Sequence, residues 1–203
     1  MGRLSRASVL RALDLRDHRN NAGCALPGAA AGTGLDGLGR SFPAEELRHL
    51  EDLMGGLPPR WGLGAPDNVE CVGQRIDLPE PLRVRSLGVL GACTGGSYRD
   101  ELLLESGTPG IARRPVGLGL TDFLAATPAN GESCVAACSF LRENGRDVQG
   151  PVPRLWRREV ELEPPHDTVA VWLPVNPDIH VFGIWVHAEP VDRDHAEDGE
   201  ESP

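Results

Sequence analysis

A chain of 203 residues with 40% hydrophobic content fits one domain with tails and suffices for a single core. Its net charge of -10 argues against nucleic acid as a partner, because phosphate binding draws its affinity from clustered basic residues. No apolar run reaches membrane-spanning length, and Gly (25) with Pro (18) favours turns and short strands over long helices.

Residues 1–13 read as an N-terminal extension. Arg3, Arg6, Arg11, Arg16 and Arg19 accompany no unbroken apolar stretch, so no secretory signal is expected. Leu4, Val9, Leu10, Leu13 and Leu15 fit either a helical turn or a first strand. Residues 22–34, rich in Gly and Ala, read as loop. The one good helix covers residues 43–54, with Ser41 as N-cap, Pro43 near the first turn and a stripe of Leu47, Leu50, Leu53 and Met54 ended by Gly55-Gly56.

From Pro66 onward the pattern is β. Strands are predicted at 69–72, 74–78, 83–90, 101–104, 116–120, 134–141, 155–162, 168–173 and 179–186, with turns at Cys93–Ser97 and Pro174–Asp178 and a polar loop over 142–153. Short strands at this spacing imply an all-β fold, an antiparallel β-sandwich of jelly-roll type, over residues 14–188. Residues 189–203 are dense in acid and are expected to form a disordered tail.

Five cysteines are an odd number with no C-x-x-C pair. Along a strand, Cys134 and Cys138 would lie about 13 Å apart, beyond disulfide reach. They read as buried thiols, and with no leader they favour a cytoplasmic protein. Gly, Ala, Pro and a preponderance of Arg suggest a high-GC bacterial genome.

Several segments recur in a recognisable order: Asn20-Asn21-Ala22-Gly23, Asp36 to Phe42, Pro66 to Val69, Gly73-Gln74, Leu90-Gly91-Ala92, Asp122-Phe123 and Asn176 to Phe182. Together they resemble β-sandwich modules, galactose-binding-like or jelly-roll, appended to bacterial glycoside hydrolases. The resemblance covers about residues 14–188 and implies a carbohydrate-linked context without fixed catalytic residues.

Those segments supply the candidate site. His180, beside Asp178, is the acid–base candidate, with Asp36 and Asp67 as partner carboxylates. Asn20, Asn21, Arg40, Asn68, Asp122 and Trp61 are candidate ligand contacts; Trp61 and Trp156 are the better candidates for an exposed ring, whereas Trp172 and Trp185 read as core. Gly37 and Gly39 are expected to let the Asp36–Arg40 loop take positive φ. Asp36, Asp67, Asn68 and Asp122 also form an oxygen set suited to a structural calcium, although no cofactor is required and no zinc pattern occurs among the histidines. Gly117-Leu118-Gly119 lacks the frame of a dinucleotide fingerprint, and Cys93 is a turn thiol with nucleophile potential.

Three functions stay open. The first is a sandwich binding a small polar or carbohydrate-like ligand in a rim pocket. The second is a lyase, cyclase or isomerase of specialised metabolism that uses the same residues. The third is a non-catalytic interaction subunit. Ligand identity and oligomeric state are not legible in the sequence.

Overall fold

A computed structural model describes residues 8–29, 32 and 34–191. Twelve strands dominate the described residues: β1 (Val9–Ala12), β2 (Cys24–Ala25), β3 (Arg40–Pro43), β4 (Val69–Val72), β5 (Arg75–Cys93), β6 (Tyr98–Glu105), β7 (Arg114–Leu120), β8 (Ser133–Ala137), β9 (Leu141–Glu143), β10 (Arg146–Val148), β11 (Arg154–Trp172) and β12 (Val175–Pro190). One α-helix, α1 (Ala44–Leu47), continues as a 3-10 turn over Arg48–Leu50. The fold is an all-β antiparallel sandwich with one short helix, as the strand spacing predicted.

The larger sheet runs β1-β12-β5-β11-β6-β7, with β4 also on β12 and β8 on β11. The smaller runs β10-β9-β3-β2, and only its β2–β3 pair is parallel. The end of β7 returns to the end of β5: Cys93 N donates to Thr121 O (2.9 Å) and Phe123 N to Cys93 O (2.8 Å). In β5 the first half alternates between buried and exposed, whereas Ser86–Cys93 is buried throughout. Such a run reads as covered on both faces.

Three phenylalanines join the two sheets. Phe42 of β3 meets Phe123 at 5.9 Å and Phe182 of β12 at 5.8 Å between ring centroids, both edge-to-face. The helix serves the same core. Leu47, Leu50 and Met54 are buried and Leu53 packs against the core, as the stripe predicted. Its turn lies so close to β12 that a Cβ on Gly183 would stand 1.9 Å from Leu53 O.

Several expectations are corrected. The helix is one α turn plus a 3-10 turn rather than twelve residues, and Pro43 rather than Ser41 occupies the N-cap because Ser41 is committed to β3. The paired predictions 74–78 with 83–90 and 155–162 with 168–173 are each one 19-residue strand. Pro79, Pro81, Pro164 and Pro165 do not end them; across the last two the β11–β5 register shifts between Glu161 and His166. The run 134–141 is not a buried strand: Ser133–Ala137 is largely exposed edge. The predicted 142–153 loop holds the β9–β10 hairpin, and Asn176–Asp178 lies within β12 rather than in a turn.

At the N-terminus, β1 pairs with β12 from Val9↔Ala188 to Ala12↔Trp185, so the sheet takes in residues ahead of 14. At the other end β12 runs to Pro190, and Glu189 pairs with Arg85 (2.8 Å). The rest of the predicted acidic tail, 192–203, and residues 1–7 of the extension lie outside the described residues. Among the described residues no helix is long and apolar enough to cross a membrane, which says nothing of strands.

Candidate functional site

Five of the predicted site residues converge where the chain leaves β1 and where β4 begins. The backbone brings them together: Asn20 N donates to Asn68 O (3.1 Å), and Asp67 N to Asn21 O (2.9 Å). Asn20 adds a side-chain clasp on Glu70, accepting from its N (2.7 Å) and donating to its O (3.1 Å). Asp67, fully buried, accepts Gly23 N and Cys24 N, one on each oxygen, at 2.9 Å.

Asn68 links Asp67 to the histidine. Its amide nitrogen donates to Asp67 Oδ1 (2.8 Å), Asn21 Oδ1 (2.9 Å) and Asn21 O (3.1 Å). The nitrogen is thereby committed, so Oδ1 faces His180 Nδ1 at 3.0 Å. That network assigns the proton to Nδ1 and leaves Nε2 as the basic nitrogen. Burial pushes the His180 pKa down to about 4, against the opposing charges of Asp178 and Asp36. Burial likewise raises Asp67 to about 6, although Asn68, Gly23 and Cys24 all favour its ionised form.

The other candidates lie around this network. Asp36 accepts Leu38 N (2.9 Å) and Arg40 N (3.3 Å) and pairs with the Arg40 side chain. Gly37 and Gly39 take φ of 73° and 87°, the left-handed backbone that the loop was expected to need. Arg40 lies over the Phe123 ring at 5.7 Å, so its guanidinium closes the loop onto the core. Asp122 holds the turn after β5, accepting Gly96 N (2.9 Å) and Leu124 N (2.8 Å).

Burial and geometry bear on the tryptophans and on the calcium set. Trp61 and Trp156 are 5% and 0% exposed, and their indole N–H groups donate to Ala44 O and Asp122 O, each at 3.2 Å. Neither ring offers a free face. Trp172 is instead the part-exposed tryptophan, with the Arg113 guanidinium 3.9 Å above it; Trp185 is core as expected. The calcium set does not converge either. The carboxylates of Asp36, Asp67 and Asp122 are turned to N–H donors, and among the described residues no three His, Cys, Asp or Glu side chains group to hold a metal.

Cys24, Cys71, Cys93 and Cys138 are buried and unpaired; Cys134 is exposed. Burial pushes the Cys93 and Cys138 thiols up to about 12, so neither is a ready nucleophile.

Asp67, Asn68 and His180 are buried, and a cleft of about 630 Å³ opens beside them. Its lining includes Arg19 and Pro66, the neighbours of Asn20 and Asp67, with Leu13, Leu57 and Pro58 supplying apolar wall. Arg19 Nη2 donates to Met54 O (2.9 Å) and Gly56 O (2.7 Å), while Nε is buried without a partner among the described residues. At the mouth, Arg16 clamps Asp14 (Nε to Oδ1, 2.9 Å) and holds its carboxyl down at about 2. The cleft therefore offers guanidinium N–H, a carboxylate and proline faces.

The sequence did not single out Arg19, which resembles every other arginine in the first twenty residues. Its adjacency to Asn20-Asn21 was the available signal. Compared with known proteins, the chain matches no family model and no curated protein.

Proposed function

We propose that the protein is a cytoplasmic ligand-binding sandwich. It takes a small polar, carbohydrate-like molecule in the cleft beside Arg19, and the Asp67–Asn68–His180 network braces that cleft. The carrying observation is the cleft itself: about 630 Å³ lies within the roughly 300–1,000 Å³ of small-molecule sites, and apolar wall meets a few convergent polar groups. A pyranose presents an apolar face suited to Pro58, Pro59 and Leu57, and hydroxyls suited to Asp14 and Arg19. A carboxylate on the ring would match the Arg19 guanidinium, since Arg16 is held by Asp14. The resemblance to sandwich modules of bacterial glycoside hydrolases agrees with this ligand class, and the unpaired thiols agree with a reducing compartment.

Crystals soaked with a hexuronate test the reading. Density in the cleft with the carboxylate on Arg19 is the expected result; density elsewhere, or none at saturating concentration, would refute it.

Acid–base catalysis at His180 is the second reading, favoured by the Asn68 contact that fixes Nδ1 and leaves Nε2 basic. Burial works against it, since a ring with pKa of about 4 is a weak base near pH 7. A turnover activity lost in His180→Gln with the fold retained would favour catalysis over bracing.

A further inference from the structure

A second concavity, of about 330 Å³, lies over β7 and shares no residue with the first. Its floor is nearly free of side chains, because β7 contributes Gly117 and Gly119. Gly119 is required there: a Cβ would stand 2.5 Å from Asn130 Cβ. Asn130 is fixed from below, donating through Nδ2 to Leu120 O (3.1 Å) and through its backbone N to Glu132 Oε2 (2.8 Å).

Asn130 then holds one arginine on each of its oxygens. Arg99 Nε donates to Asn130 Oδ1 (2.7 Å), and Arg158 Nη1 to Asn130 O (3.0 Å). Among the described residues neither guanidinium has an ion-pair partner, although the chain carries a net charge of -10. Arg158 Nε is buried without a hydrogen-bond partner among the described residues. Asp100 is the one carboxylate in the lining, and its oxygens accept from Glu101 N (2.8 Å) and Asn176 Nδ2 (3.5 Å).

Two like charges held on one asparagine, in the lining of one concavity with a glycine floor, repel each other and leave donors unused. A bound anion relieves both. We infer that Arg99 and Arg158, positioned by Asn130 above Gly117 and Gly119, form a binding site for the oxyanion group, phosphate or carboxylate, of a small ligand.

Calorimetric titration of the full chain with inorganic phosphate and with malonate, against chloride at matched ionic strength, tests the site. Saturable binding of either anion is expected. Selectivity for phosphate points to a phosphorylated ligand, and selectivity for malonate to a carboxylic acid. Arg99→Gln removes one donor fork and is expected to weaken binding by about tenfold. Gly117→Leu fills the concavity from an exposed strand position where an added Cβ meets nothing within 4 Å, so the fold is kept and binding is expected to be lost. No saturable heat above chloride, or wild-type affinity in both variants, overturns the proposal. Neither result bears on the Arg19 cleft, whose residues are untouched.

Discussion

Asp67 and His180 titrate in opposite senses, and Asn68 joins them. Asp67 has a folded pKa of about 6, above the ordinary carboxyl value, so the native state holds its proton longer than the unfolded chain does. Its contribution to stability is present at about pH 4 and is lost as pH rises to about 6. His180 has a folded pKa of about 4, below the ordinary imidazole value, so its contribution is present above about 6.5 and is lost as pH falls to about 4. Each is worth about 3 kcal/mol, and in the wild type they largely cancel. Removing either exposes the other. Relative to wild type, Asp67→Asn is expected to gain stability as pH climbs from 4 to 6, and His180→Gln to lose it; thermal midpoints across that range check the signs. Parallel profiles for the two variants would count against the assigned burial effects. Asp67→Asn also places an amide N–H against Gly23 N or Cys24 N, at a cost of about 1–3 kcal/mol at any pH. At this scale the sequence brought Asn20, Asn21, Asp67, Asn68 and His180 into one set. It did not reveal that main-chain N–H groups consume the Asp67 oxygens, because those donors become neighbours only when residues 23–24 fold against 67.

Elements meet at two points where single changes are expected to be costly. Phe42, fully buried between Phe123 and Phe182, is the contact of β3 with β12. Phe42→Ala is expected to lower stability by about 3–5 kcal/mol in denaturant unfolding. Gly183 lets the Leu53–Met54 turn lie against β12; Gly183→Ala must displace that backbone and is expected to cost at least about 2 kcal/mol. A wild-type midpoint for Gly183→Ala would show that the turn yields freely. Strand existence was legible in β4, whose predicted and observed bounds agree at Val69–Val72, and in β7 and β12. Strand length was not. A proline is a stop signal to local pattern, yet Pro79, Pro81, Pro164 and Pro165 sit inside strands whose remaining pairings and register shift accommodate them. Helix length failed for a related reason. The stripe from Leu47 to Met54 does face the core, but one α turn, a 3-10 turn over Arg48–Leu50 and the turn after it place those residues there as well as a longer α-helix would.

Across the whole molecule, acidic charge and a scarcity of aromatic residues direct any ligand toward arginine rather than toward stacking rings. All four tryptophans are committed, three to the core and Trp172 to Arg113 and Glu105. Two concavities, one beside Arg19 and one between Arg99 and Arg158, pair guanidinium with bare or apolar wall. Calorimetric titration of a hexuronate and its parent hexose into wild type and Leu57→Trp tests the cleft directly. Saturable binding of the hexuronate, weaker binding of the hexose and loss of both in Leu57→Trp are predicted. Equal binding by wild type and Leu57→Trp, or no binding of either sugar, would contradict the cleft as the functional site.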